Sequence, residues 1–144
     1  MLQAISPGRD GMNDLTSRMR DHAEEVFAAN ETLLTFTAPA SARHLRLGID
    51  TRRDVYLIFK EAVNNAARHS GSSRVHVSLH SDETALILSV ADDGEGFDTA
   101  SEDEGNGLAS MRRRAERLGA RLHISSRCGT GTTVQLEVPH HRLV

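Results

Sequence analysis

Apolar residues fall into two rhythms along the chain, and the alternation between them predicts the elements. Leu15, Met19, Ala23, Val26 and Phe27 recur at three and four, which predicts a helix capped by Asn13 and running to about Asn30. Residues 33–38 alternate as a strand that Pro39 closes. Val55, Ile58, Phe59, Ala62 and Ala66 return to helical spacing, with Asp50 or Thr51 as the cap and an end near His69, before Gly71. Residues 74–80 alternate strictly, and after the turn-like Ser81-Asp82-Glu83 residues 85–90 complete a hairpin. Residues 108–118 form a helix stopped by Gly119, and residues 122–126 and 133–138 pair as a last hairpin that Pro139 ends. Helices separated by hairpins predict an α+β fold of two layers, a mostly antiparallel sheet with helices on one face. Residues 1–12 hold Pro7, Gly8 and Gly11 without sustained periodicity and read as a flexible leader, so the single domain is expected over 13–139, with 140–144 as a tail.

Composition narrows this picture. With 144 residues and 38% apolar content the chain can bury one core, and with 3% aromatic residues and no Trp that core is aliphatic. The formal charge of −3 comes from interspersed signs, which argues against a nucleic-acid partner. Arg112, Arg113 and Arg114 are consecutive on a helix and fan around it, so most are expected in solvent with one at most reaching a phosphate. Cys128 is the lone cysteine, which excludes an intrachain disulfide and suits a reducing, cytoplasmic setting. No apolar run approaches the ~20 residues of a membrane span, and nothing opens the chain as a signal peptide does, so no membrane contact is expected of this domain.

Four short blocks carry candidate chemistry. Glu61, Asn65 and His69 stand four apart and share one face of the second helix, whereas Ile58, Ala62 and Ala66 are expected to point elsewhere. Asn65 offers a neutral oxygen to Mg²⁺, Glu61 one turn earlier can orient or deprotonate a water or a hydroxyl, and Arg68 and His69 at the helix end can meet phosphate oxygens. The plain alternative is a solvated helix face. Asp92-Asp93-Gly94-Glu95-Gly96 follows a strand; a carboxylate there can accept from the exocyclic amine of adenine, and paired glycines admit the base closely, although Asp-Gly also marks ordinary turns. Gly105-Asn106-Gly107-Leu108 leads into a helix whose first amides and dipole suit a triphosphate, yet it matches neither the phosphate-binding loop nor the dinucleotide fingerprint. Gly129-Thr130-Gly131-Thr132 reads as a hairpin turn with a modest claim to ligand contact.

In this order, Glu61-Ala-Val-Asn-Asn65-Ala-Ala-Arg68-His69-Ser, Val90-Ala-Asp92-Asp-Gly94-Glu-Gly96-Phe97, Gly105-Asn-Gly107-Leu108 and Gly129-Thr-Gly131-Thr132 resemble the N, G1, G2 and final glycine boxes of the GHKL ATPases. The run Gly107-Leu108-x-x-Met111-x-x-Arg114-Ala115-x-x-Leu118-Gly119 is similar to sensor histidine kinases of the nitrate-sensor and desaturase-regulator, NarL-partner type. The resemblance covers nearly all of the chain from about residue 13. It implies a Bergerat-type sandwich binding ATP and Mg²⁺: Asn65 on the metal, Glu61 catalytic near the γ-phosphate, Asp92 on adenine with Gly94 and Gly96 shaping the pocket, Gly105, Gly107 and Leu108 by the phosphates, Thr132 on the adenine side, and a lid over about 98–106. It also implies transfer to a histidine on a dimerisation and phosphoacceptor domain, relay to a response regulator, and a monomeric isolated domain that binds ATP yet hardly autophosphorylates. Asp93 stands where the family usually has Asn, and Asn106 where it often has His. No phosphoacceptor helix pair fits before residue 50, and Asp21-His22 imitates the acceptor only locally. The rivals are an anti-sigma factor serine kinase, which the Met111 to Gly119 run disfavours, a degenerate nucleotide-binding module, which intact Glu61, Asn65 and Asp92 disfavour, and a gyrase-like or chaperone-like ATPase, which needs a longer lid.

Overall fold

The computed structural model describes residues 11–38, 45–68, 72–96 and 107–144. The elements run α1 (Met12–Ala28), β1 (Leu33–Thr37), α2 (Ile49–Arg68), β2 (Arg74–Ser81), β3 (Ala85–Asp92), α3 (Leu108–Leu118), β4 (Arg121–Arg127) and β5 (Gly131–Pro139), followed by a 3₁₀ turn over His140–Arg142. One sheet of five strands holds the order β1-β2-β3-β5-β4. The two predicted hairpins pair antiparallel, as do β3 and β5, while β1 joins β2 in parallel. A parallel pair needs a long crossover, and α2 supplies it. The expected α+β sandwich is therefore present, with a mixed sheet at one edge.

Alternation along each strand sends Val75, Val77 and Leu79, then Leu86, Leu88 and Val90, then Val134, Leu136 and Val138 into a shared core with Leu15, Met19, Phe27, Ile58 and Phe59 of the helices. Strand register aligns Leu34, Val75, Asp92, Thr132 and Ser126 as one transverse row on this inner side. The row turns from apolar to polar at Asp92, at the end of the sheet where the site lies.

Both helix starts differ from the predicted caps. Helix α1 begins at Met12 with Gly11 in the cap position and no side-chain cap, so Asn13 lies inside the first turn. Tertiary contacts set this start: Gly11 bridges Arg46, and Met12 is buried. Helix α2 begins at Ile49, one residue before the expected caps. The Gly48 amide donates to the Leu143 carbonyl at 2.8 Å, and Thr51 Oγ1 donates to the Arg142 carbonyl at 3.3 Å. Residues 140–144 thus pack against the start of α2, and Leu143 is buried. The turn between β2 and β3 closes on Asp82, whose Oδ1 accepts from the amides of Thr84 and Ala85 and from the Thr84 hydroxyl, holding its carboxyl below the ordinary range.

Candidate functional site

A cleft opens between α2, the β3 and β5 ends and the first turn of α3, lined by Ala62, Asn65, Ala66, Val90, Asp92, Leu108, Thr132 and Val134. Of the predicted site residues, Asn65, Asp92, Leu108 and Thr132 meet here directly. Ala62 and Ala66 line the same cleft as Asn65, a correction to the expectation that they point elsewhere: helix α2 faces it with a stripe wide enough to mix two alanines and one amide. Their small side chains leave a flat apolar wall. Asn65 is buried, which is uncommon for an amide and consistent with a side chain held by partners.

Arg68 Nη2 donates to Asn65 Oδ1 and, at 3.3 Å, to Glu61 Oε2. Spacings of four and seven along α2 put these three on one face, and two hard oxygen donors converge on one cation there. Among the described residues no group of three or more His, Cys, Asp or Glu gathers as a metal site of its own. An amide oxygen and a carboxylate beside a cleft suit Mg²⁺, which takes one or two protein oxygens and completes its shell from phosphates and water. The donor set therefore fits this ion.

Asp92 Oδ1 accepts from the Gly94 amide at 2.9 Å, which fixes the carboxylate at the strand end. Directly across the sheet stands Thr132, whose hydroxyl lies 2.7 Å from Ser126 Oγ. The loop after β3 and the β4–β5 turn are interlocked through main chain. Gly96 has φ 68°, and a Cβ there would run into the Arg127 carbonyl; Gly131 has φ 98°, and a Cβ there would run into the Asp92 carbonyl. The Gly129 amide donates to the Glu95 carbonyl at 2.5 Å. Gly96 and Gly131 thus act by close backbone approach. On the opposite wall Gly107, with φ 71°, precedes α3 without a side-chain cap and lies against the Glu61 carboxylate. His69, Gly105, Asn106 and the predicted lid lie outside the described residues.

Sequence reasoning missed two features. Asp54 of α2 is buried and receives Arg117 Nη2 at 2.7 Å, Arg117 Nε at 3.2 Å and Arg114 Nη1 at 3.4 Å. Burial works to raise its pKa, but Arg117, Arg53 and Arg114 together outweigh it and hold the carboxyl below its usual value. Arg112 and Arg113 are exposed as expected, whereas Arg114 is half-buried and helps clamp α3 to α2 through Asp54. A signal existed: Asp54 falls on the apolar stripe of Thr51, Val55 and Ile58, where an acid needs a cationic partner. The second feature is Asp93. Its Oδ1 accepts from the Arg74 amide at 3.0 Å and the Ser73 amide at 2.8 Å, and these bonds, the Arg74 one foremost, lower its pKa. It anchors the entry to β2. His22, the acceptor imitation, has Nε2 3.2 Å from Asn64 Oδ1 and its ring edge-on to Tyr56 and Phe59.

The fold is that of histidine kinase catalytic domains. It superposes on the catalytic domain of the histidine kinase ThkA with a TM-score of 0.72 at 17% identity, over 90% of this chain and 94% of that one. The Erythrobacter litoralis EL346 blue-light activated histidine kinase gives 0.67 at 24% identity, over 87% of this chain and 41% of the other. A family model described as histidine kinase-, DNA gyrase B-, and HSP90-like ATPase matches residues 50–142, and the chain belongs to this family. Membership implies ATP as the ligand. Sensor protein VraS of Staphylococcus haemolyticus (strain JCSC1435) is 35% identical over 61% of this chain, and VraS of Staphylococcus epidermidis (strain ATCC 12228 / FDA PCI 1200) 36% identical over 59%. The chain spans about a quarter of the length of the curated relatives it matches. Among the described residues no helix is long and apolar enough to cross a membrane.

Proposed function

We propose that this domain binds Mg²⁺-ATP in the cleft between α2 and the β3–β5 wall and donates the γ-phosphate to a histidine on a separate dimerisation domain, for relay to a response regulator. The parent would be a sensor kinase of the NarL-partner type, with this domain monomeric, cytoplasmic and clear of the membrane. One observation carries the reading: Asp92, fixed by the Gly94 amide beside Thr132, faces a wall of Ala62 and Ala66, and Asn65 continues the same cleft towards Glu61 and Gly107.

Adenine stacks in the apolar slot of Ala62, Ala66, Val90 and Val134, and Asp92 accepts from its amine. Gly94 and Gly96 keep the loop beside the base free of Cβ, and Thr132 supports the carboxylate across the sheet. Towards the phosphates, Asn65 holds the metal, and Gly105, Gly107 and the amides before Leu108 supply donors at the start of α3. Bound Mg²⁺ neutralises phosphate charge. Glu61 orients the incoming imidazole and accepts its proton, and Arg68 meets phosphate oxygens, a role the family pattern extends to His69. Most of the rate then comes from positioning and charge stabilisation.

Calorimetric titration with a non-hydrolysable ATP analogue, with and without Mg²⁺, tests this. The expected outcome is saturable binding that Asp92→Asn weakens by roughly tenfold or more, as for a lost charged hydrogen bond. The Mg²⁺ dependence should vanish in Asn65→Ala. Binding indifferent to both substitutions would refute the site.

A further inference from the structure

Arg68 contacts two of the residues assigned to nucleotide chemistry, and it does so with one nitrogen. Nη2 donates to both Asn65 Oδ1 and Glu61 Oε2. Asn65 is buried and Glu61 half-buried, whereas the Arg68 side chain is 54% exposed at the last turn of α2. The two acceptors are thus held by packing, while the cation is attached to them by a long stem that is free to leave. A divalent ion and a guanidinium cannot share the same amide oxygen at close range, because like charges repel strongly in a partly desolvated cleft.

The geometry points to Arg68 as an internal counter-cation that occupies the metal position of the nucleotide-free domain and competes with Mg²⁺ for Asn65. This deepens the proposed Mg²⁺-ATP site and rests on that reading. In the empty cleft the guanidinium donates to the Asn65 amide oxygen and offsets the charge of half-buried Glu61. When a triphosphate arrives, its anionic oxygens give the displaced guanidinium a better partner at the cleft mouth. Metal entry and arginine release are then one exchange. Free divalent ion is resisted, and ion carrying phosphates is admitted. Arg68 is accordingly a positioning residue that makes metal binding conditional on nucleotide.

Two readouts on the 144-residue protein separate this from a simple phosphate contact. In the first, Mn²⁺ is titrated without nucleotide and paramagnetic broadening of the Asn65 side-chain amide is followed by NMR in wild type, Arg68→Ala and Arg68→Lys. Loss of a partly exposed charged contact should lower the half-broadening Mn²⁺ concentration roughly fivefold in Arg68→Ala. Arg68→Lys, which keeps the charge but not the fork, should fall between. In the second, the Mg²⁺ concentration giving half the gain in analogue affinity should fall in Arg68→Ala by a similar factor. A half-point that stays put or rises in Arg68→Ala, or no Mn²⁺ effect at Asn65 in any variant, overturns the proposal. Absent analogue binding in folded wild type sinks the ATP-site reading instead, and the nucleotide-free Mn²⁺ series still decides whether Arg68 competes for the cation.

Discussion

Replacing Asp54 with Asn tests whether α3 is clamped to α2 by charge. The carboxylate is 2% exposed and accepts three hydrogen bonds from two guanidinium groups, at 2.7, 3.2 and 3.4 Å. Charged hydrogen bonds contribute roughly 1.5–3 kcal/mol each when well made. Arg117 and Arg114 are 56% and 29% exposed, so water and salt screen part of that and can solvate both cations once the acid is gone. Asn also keeps one acceptor oxygen. The net loss should be roughly 2 kcal/mol, well short of the ~3–5 kcal/mol of a fully buried broken pair. In urea denaturation the midpoint should fall at unchanged slope, and by calorimetry Tm should drop about 6–8 °C. The pH dependence has a definite sign. Because folding lowers the Asp54 pKa, its stabilisation is complete above the unfolded value of ~3.9 and is lost as pH falls through the lower folded value. The gap between wild type and variant should therefore persist from neutrality to about pH 4 and close below it. A cycle with Arg117→Leu should show coupling of about 1 kcal/mol. A loss under about 0.5 kcal/mol, or strict additivity in the cycle, would refute the clamp.

The remaining predictions concern the main-chain wall. Gly131→Ala should cost about 3 kcal/mol, since it adds positive-φ strain to a collision with the Asp92 carbonyl, and should also weaken nucleotide binding by shifting that strand end; Gly129→Ala, with φ 90° but open space around its Cβ, should cost about 1 kcal/mol and leave binding alone. Equal losses in urea denaturation would show that the collision is relieved cheaply. Asp93→Asn should be nearly neutral because it keeps an acceptor oxygen for the Ser73 and Arg74 amides, whereas Asp93→Ala should lower stability by up to about 1 kcal/mol and speed hydrogen exchange at Ser73 and Arg74. Matching exchange rates in the two variants would contradict that anchor.

Much of this fold was legible in the pattern of apolar residues because each element is amphipathic and faces one core. Val75, Val77 and Leu79 announce β2 by strict alternation, and Met111, Ala115 and Leu118 announce α3 by spacing and its Gly119 stop. What escaped was long-range. The pairing of Gly11 with Arg46 and the docking of Leu143 beside Gly48 decide where α1 and α2 begin, and no local cap reveals either. The parallel join of β1 to β2 depends on α2 as a crossover, which a count of hairpins does not express. At the site, Asn65, Asp92, Leu108 and Thr132 line one cleft together with Ala62 and Ala66, which a narrow view of the helix face places elsewhere. Asp54 has its mark in the sequence, a place on the apolar stripe, but its partners lie 60 and 63 residues away and no local pattern names them.

The interlock of Gly96, Gly129 and Gly131 sets where this cleft can change over evolutionary time. Backbone against backbone offers nothing for substitution to vary: a larger residue at Gly96 or Gly131 collides with a carbonyl, and main-chain atoms carry no alternative chemistry. The opposite wall is made of side chains, Ala62 and Ala66 on α2 and Leu108 on α3. Change in the shape of this cleft must therefore be written in its side chains, Ala62, Ala66 and Leu108 on the helices and Val90 and Val134 on the sheet, and not in the glycine interlock. An inhibitor that draws its affinity from the main-chain side faces a surface with few mutational escapes.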